Sequence, residues 1–250
     1  MSELEPERVV PLLRGTLGSP YLYFAETAST QDVLRGSEQP HGVVAVAEHQ
    51  TAGRGRSGRS WDDAPATALL FSVLLRPPAT TALPQLSLVA GLAVAAALER
   101  VSGAPMLLKW PNDVLADGRK VSGILLEATG GAVACGIGVN VNQEERDLPA
   151  QTRAPATSLR LLRGRAFDRG AVLATVLGEL ERRYETWLTG GLVALGAELE
   201  ARNALRGRRV RADGRIGTAA EIAPDGRLTV ILDRGDRVLV ESGEVEWIAG

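Results

Sequence analysis

Lys120-Val121-Ser122-Gly123-Ile124-Leu125-Leu126-Glu127, a break at Gly130-Gly131, and then the apolar, glycine-interleaved run 132–142 decide the fold. β-branched and small residues bounded by Gly-Gly read as two strands joined by a tight turn. Immediately upstream, residues 106–110 form a third apolar run that ends at Pro111, because proline cannot donate to a ladder and pushes its predecessor to extended geometry. Asp117-Gly118 is a hairpin-type dipeptide. Together these predict an antiparallel meander, with Lys109 and Lys120 on neighbouring strands near the Asp117-Gly118 end.

Working outward toward the N-terminus, residues 84–101 read as a helix apolar on most faces and closed by Gly103, a core helix lying under the sheet. Runs 42–48 and 68–75 read as a pair of buried strands, and the segment between them is long and glycine-rich, as binding loops often are. Residues 21–26 read as a strand, Ser29 or Thr30 as the cap of a short helix, and residues 7–14 as a further helix. Toward the C-terminus, 143–167 reads as irregular. Asp168 caps a long amphipathic helix carrying Leu173, Val176, Leu177, Leu180, Tyr184, Trp187 and Leu188, broken at Gly190-Gly191 and followed by a second helix to about residue 204. From Arg206 the texture changes to five short strands, at 209–211, 217–222, 228–232, 238–240 and 245–248, parted by turns such as Asp213-Gly214, Asp225-Gly226 and Ser242-Gly243. The reading is α+β: a mixed or antiparallel sheet with packed helices over 1–205, and a small SH3-like β-barrel over 206–250.

Composition narrows the function. The chain has 250 residues, 45% of them hydrophobic, and a net charge of −2, so the molecule as a whole offers no polyanion-binding surface. A single cysteine, Cys135, and two histidines, His41 and His49, exclude a disulfide framework and a four-ligand zinc site within one chain, and suit a reducing cytoplasm. The acidic N-terminus carries no secretory signal pattern, and the apolar stretch 86–98 is too short for a membrane span. Of 28 basic residues, 26 are arginine; the two lysines are Lys109 and Lys120. Lysine kept in so arginine-rich a chain marks a place that needs a compact ammonium, which a planar fork does not imitate. Three of the four asparagines, Asn112, Asn140 and Asn142, fall in the same part of the chain.

Three stretches carry chemistry. Gln50-Thr51-Ala52-Gly53-Arg54-Gly55-Arg56-Ser57-Gly58-Arg59-Ser60-Trp61 sets guanidinium groups among glycines, a combination suited to wrapping a carboxylate or phosphate. On its own it favours the plainer reading of a flexible basic surface loop or a short nucleic-acid-binding segment. Lys109-Trp110-Pro111-Asn112-Asp113, with Lys120 after it, combines point charges for an anion with a carboxylate for a metal or an amine; its Pro-Asn-Asp is also ordinary turn chemistry. Gly136-Ile137-Gly138-Val139-Asn140 is not a dinucleotide fingerprint, since no helix follows, and a phosphate-binding Gly-x-x-x-x-Gly-Lys-Ser/Thr loop is absent from the sequence.

The ordered set of Ser29-Thr30, Gln50, the Gly53-to-Trp61 arginine loop, Lys109-Trp110-Pro111-Asn112-Asp113, Lys120-x-Ser122-Gly123 and Gly138-x-Asn140-x-Asn142 resembles biotin–protein ligase. The resemblance covers 21–142 by motif and reaches the C-terminal strands by pattern. It implies a class II synthetase-like catalytic domain. The implied reaction joins biotin to Mg·ATP as biotinyl-5′-AMP and passes biotin to one lysine of a biotin carboxyl carrier domain. By resemblance Ser29, Thr30, Gln50, Gly53, Arg54, Arg56, Lys120, Gly123 and Gly138 would bind biotin, and Arg54, Arg56, Arg59, Trp61, Lys109, Asn112 and Asn140 the nucleotide, with Trp61 near the adenine. Lys120, Arg54 and Asp113 would serve catalysis, Asp113 either orienting the amine or holding Mg²⁺. Gln31 stands where the family usually has asparagine. Lipoate–protein ligase or octanoyltransferase is the close alternative, which the arginine loop and the Lys-Trp-Pro-Asn-Asp run disfavour. The motifs begin too near Met1 for a winged-helix domain, so operator binding and repression are not expected. The acidic balance and the confinement of the arginines to one short loop argue against a nucleic-acid partner, the short apolar stretch against a membrane one, and the resemblance leaves monomer and homodimer open.

Overall fold

The computed structural model describes residues 2–36, 38–61, 64–78, 83–129, 131–149, 155–241, 243 and 245–248. A seven-stranded sheet forms its centre: β1 (Tyr21–Thr27), β2 (Val44–Gln50), β3 (Ala68–Leu75), β4 (Leu107–Lys109), β5 (Asp113–Ala116), β6 (Arg119–Thr129) and β7 (Ala132–Asn140), in the spatial order β1-β2-β3-β7-β6-β5-β4. β1 and β2 are parallel and every other neighbouring pair is antiparallel. The helices before and between them are α1 (Pro6–Val9), α2 (Thr30–Leu34), which lies in the β1-to-β2 crossover, and α3 (Leu83–Ser102). α4 (Leu159–Arg163), α5 (Arg169–Gly190) and α6 (Gly196–Arg202) follow β7.

Period-2 alternation explains the layering. On β7, Val133, Cys135, Ile137 and Val139 join the main core with α3 and α5, as does Val141 just beyond it, while Ala132 and Ala134 belong to a smaller cluster with Leu34 of α2, Val43, Ala45 and Leu74. The same strand continues on that second face as Gly136 and Gly138, so the face narrows in side-chain size toward one end and leaves room above the sheet. β3 repeats the division: Leu69, Phe71, Val73 and Leu75 enter the main core and Leu74 the smaller cluster. By length and composition Pro84–Ser102 is apolar enough to cross a membrane, but most of it is packed inside the protein, where Leu86, Leu88, Val89 and Leu92 join the main core.

Several expectations are met and several corrected. Asp168 caps α5 by accepting the Ala171 N–H at 2.9 Å, and Asp117 and Gly118 both take positive φ, 49° and 74°, as an Asp-Gly hairpin requires. Lys109 and Lys120 are not on neighbouring strands. β5 lies between theirs, because the chain after Pro111-Asn112 returns at once to extended backbone at Asp113. The 143–167 segment contains α4, capped by Ser158 at the Leu161 N–H and ended by Gly164 at φ 67°. Residues 7–14 are helical only in α1 and a 3-10 turn over Val10–Leu12, with Val9 buried and Val10 exposed. Leu188 is 41% exposed, off the buried stripe of α5. Gly130 and Ser242, assigned to turns, lie outside the described residues.

Beyond α6 come β8 (Arg209–Ala212), β9 (Arg215–Ile222), β10 (Leu228–Leu232), β11 (Arg237–Val240) and β12 (Val245–Trp247), which form a five-stranded sheet ordered β11-β10-β9-β8-β12. All its neighbours are antiparallel. Val210, Ala219, Leu228, Val230 and Val245 extend the main core without a break. The sheet is fastened to the rest by Trp110 Nε1 donating to Gly226 O at 2.9 Å, Asn203 Nδ2 to Ala220 O at 3.2 Å, and Ile222 N to Glu200 Oε1 at 3.2 Å.

Candidate active site

A cavity of about 1430 Å³ opens over the small-residue end of the main sheet, between α2, the arginine loop, the β4-β5-β6 edge and the C-terminal sheet. Its inner end is polar but uncharged. Ser29 caps α2, accepting the Gln31 N–H at 3.4 Å. Gln50 Oε1, at the end of β2, accepts the Thr30 N–H at 2.7 Å and the Thr30 hydroxyl at 3.1 Å, and that hydroxyl lies 2.8 Å from Ser72 Oγ. Nearby, Glu48 takes the buried guanidinium of Arg169 at 2.7 Å, which fixes the end of β2 from beneath.

Gln31 is spent on the sheet: its Nε2 donates to Leu125 O at 3.1 Å and Ala134 O at 3.3 Å. Gly136 makes that possible, since a Cβ there would lie 2.8 Å from Gln31 Cδ. Gly123 and Gly138 serve the loop in the same way. Cβ atoms on them would lie 2.9 and 2.6 Å from the Trp61 ring, which therefore rests directly on the two strands. Trp61 Nε1 is buried with no hydrogen-bond partner.

The arginine loop folds as a small hairpin. Gly55 N donates to Arg59 O at 2.7 Å and Trp61 N to Gly53 O at 3.0 Å, around a 3-10 turn at Arg56–Gly58 in which Ser57 has φ 58°. Its three arginines differ. Arg54 donates to Glu127 through Nε at 3.1 Å and Nη2 at 2.9 Å, and to Asp32 through Nη1 at 2.8 Å. These bonds raise the Arg54 pKa, the Asp32 bond foremost, and the same bond holds the Asp32 carboxyl below its usual range. Arg56 reaches across the cavity to Asn112 Oδ1 at 3.1 Å and Gly243 O at 3.5 Å, and burial lowers its pKa. Arg59 turns back onto Arg56 O at 3.1 Å.

On the opposite wall Lys120 Nζ sits 2.6 Å from Asp113 Oδ1 and 5.4 Å from the centre of the Trp61 ring. The ammonium and Oδ1 meet as an ion pair. Burial pulls the Lys109 pKa down. Its ammonium lies 5.8 Å over the Trp247 ring, with Arg208 at 4.8 Å from the same ring. Asn112 is fixed by donating to Ile124 O at 2.8 Å. Asn140 lines the cavity, yet its amide donates to Thr157 O at 3.0 Å and accepts from Gln143 at 3.1 Å, so it organises the wall.

All the sequence-predicted residues except Gly53 line the cavity, and Gly53 lies just behind it against Trp61 O. Reading the sequence missed Ser72, Asp32, Glu127, Arg208 and Trp247. Ser72 carried a signal, as the one polar residue in the otherwise apolar β3. The others become neighbours of the site only through tertiary packing.

A neutral, hydroxyl-lined pocket leading to a rim of cations above a mixed sheet defines a binding site suited to a ligand with a neutral polar end and an anionic one. Residues 23–144 match the biotin/lipoate A/B protein ligase family. The chain is 42% identical over 215 residues to the biotin–[acetyl-CoA-carboxylase] ligase of Mycobacterium tuberculosis, covering 82% of this chain and 78% of that protein. It belongs to the biotin–protein ligase family. It is also 36% identical to a bifunctional ligase/repressor of Bacillus subtilis over 72% of this chain, spanning 58% of that longer protein. The biotin protein ligase of Aquifex aeolicus in complex with biotin and ATP superposes with a TM-score of 0.83 at 33% identity, covering 92% of this chain and 98% of that one.

Proposed function

We propose that this chain activates biotin with ATP and transfers it to a lysine of a biotin carboxyl carrier domain. The observation that carries the reading is the convergence in one cavity of the Ser29-Thr30-Gln50 cluster, the glycine floor, the arginine loop and both lysines of the chain. The hydroxyl and amide groups at the inner end suit the ureido head of biotin, and the space above Gly136 and Gly138 its ring system. The carboxylate then points toward Lys120 and the arginine loop.

In the first step a carboxylate oxygen attacks the α-phosphorus, a C(O)–O–P bond forms, and the bond to the departing pyrophosphate breaks. Lys120, Lys109 and Arg56 act as fixed cations where negative charge crowds. In the second step a neutral lysine amine of the carrier attacks the acyl carbon, the acyl–oxygen bond breaks with AMP taking the electron pair, and the amine's surplus proton passes to solvent. Closure by the arginine loop and Trp61 keeps water from the mixed anhydride. Asp113 orients Lys120. Among the described residues no three acidic, histidine or cysteine side chains gather as a metal cage. Mg²⁺ carried on nucleotide phosphates needs only one or two carboxylates, which Asp113 fits, and there it would neutralise phosphate charge.

The pairing of Arg54 with carboxylates and of Arg56 with Asn112 favours a ligand-closing loop over a nucleic-acid patch. Cys135, buried with its thiol pushed up to about 12, is held unreactive, and a single free cysteine is consistent with a cytoplasmic setting. A domain boundary near Arg206 and closure of the C-terminal strands into an SH3-like barrel complete the proposal. Incubated with biotin, ATP and Mg²⁺, a carrier domain should gain the mass of one biotinyl group. A carrier left unmodified while the ATP is consumed would reject the acceptor assignment.

A further inference from the structure

We infer that Asp32 and Glu127 are positioning residues for the ligation proposed above: a carboxylate latch that holds the arginine loop against the sheet through Arg54, so that Arg54 retains ligand without touching it. The inference rests on that functional reading only for its kinetic consequence. Glu127 takes Arg54 Nε and Nη2, and Asp32 takes Nη1, so every nitrogen of the guanidinium is engaged by a carboxylate. Three of the five N–H donors, the Nε/Nη2 side fork among them, are thus taken by carboxylates, and their charge weakens the pull of Arg54 on a substrate carboxylate or phosphate.

Arg35 completes the cluster, 3.4 Å from Asp32 Oδ1 and 3.2 Å from Glu127 Oε2, so two cations face two anions and the charges balance locally. The three anchoring points belong to different elements: Asp32 to α2, Glu127 to β6, and Arg54 to the loop leaving β2. Arg54 also pairs with Ser60 across the loop hairpin. Pinning position 54 therefore fixes both arms of the loop, and with them Trp61 on its glycine floor and Arg56 at Asn112. Glu127 has a reason to be where it is. It closes the row Gly123, Leu125, Glu127 on the cavity face of β6, where a carboxylate without a cation would be costly.

The test compares Glu127→Gln, Asp32→Asn, Arg54→Ala and the Arg54→Ala/Glu127→Gln double variant. Two quantities are read: the first-order release of preformed biotinyl-5′-AMP, and amide hydrogen exchange at Gly55 and Trp61 in the ligand-free protein. Hydrogen bonds to charged groups at half-exposed positions predict roughly tenfold faster release for Glu127→Gln and for Arg54→Ala. The double variant should be no faster than Arg54→Ala, because both changes remove one interaction. Release at the wild-type rate from both carboxylate variants, with Arg54→Ala alone fast, would overturn the latch and give Arg54 a direct grip on ligand; so would effects that multiply in the double variant. The exchange arm needs no chemistry. Gly55 and Trp61 should lose protection in Arg54→Ala and Glu127→Gln, and unchanged protection would overturn the latch. A wild-type protein that forms no biotinyl adenylate would instead sink the functional reading, and the exchange result would still judge the latch.

Discussion

The inner end of the cavity and its rim are built on opposite principles. At the inner end Ser29, Thr30, Gln50 and Ser72 are neutral, largely buried and tied to one another and to backbone, and the floor beneath carries Gly123, Gly136 and Gly138, held in register by β3, β6 and β7. At the rim full charges dominate, and several are neutralised within the protein: Arg54 by Asp32 and Glu127, Lys120 by Asp113. Recognition of a neutral polar head needs fixed dipoles, which a sheet supplies. Chemistry on carboxylate and phosphate needs cations that can close around charge, which an anchored loop supplies. The two ends should therefore fail differently.

The largest loss is expected at the rim. Lys120→Ala should lower the rate of adenylation about 10²–10³-fold with biotin affinity little changed, by removing a fixed cation from the reacting carboxyl; equal losses in both would merge the two ends into one. Gly138→Val attacks the floor instead. Its Cβ would fall 2.6 Å from the Trp61 ring, and overpacking of about 1–3 kcal/mol should cost roughly 10–100-fold in kcat/KM; an unaffected enzyme would mean that the ring is not held there during turnover. Thr30→Val removes the hydroxyl joining Gln50 and Ser72 and should raise the KM for biotin about tenfold with kcat nearly unchanged. Arg56→Ala should speed adenylate loss several-fold, while the melting temperature moves by less than about 2 °C; a large drop in thermal stability would make Arg56 a structural residue.

The smallest effect is the pH response of the latch. The Arg54 hydrogen bond, chief among its causes, depresses the Asp32 pKa from its ordinary 3.8. The stabilisation is then fully present above that ordinary value and is lost only as pH falls through the lower folded value. As far as Asp32 sets it, loop protection in the free protein should accordingly be flat from neutral pH down to about 5. Protection that decays between pH 7 and 5 would point to another group.

Much of the fold was legible because alternation and turn dipeptides report local geometry: β2, β3, β6 and β7 were read close to their observed spans, as were the cap and buried stripe of α5. The parallel pairing of β1 with β2 was not, since strand orientation is set by the crossover through α2 and by nothing local. β5 was hidden because Pro111-Asn112-Asp113 is turn chemistry that runs straight into a four-residue strand. α4 is five residues long, too short for periodicity to register. At the site, motif residues with rare composition, the two lysines and the clustered asparagines, stood out. Asp32 and Glu127 did not, because acidic residues are common in this chain and their role exists only once α2, β6 and the loop meet. Trp247 belongs to a strand more than a hundred residues from its partner Lys109.

The most direct test of the account is exchange of labelled pyrophosphate into ATP by the wild-type chain, run side by side with biotin, lipoate and octanoate. The neutral inner pocket and cationic rim predict exchange with biotin and none with the other two acids. No exchange with biotin, or exchange supported equally by lipoate, would contradict it.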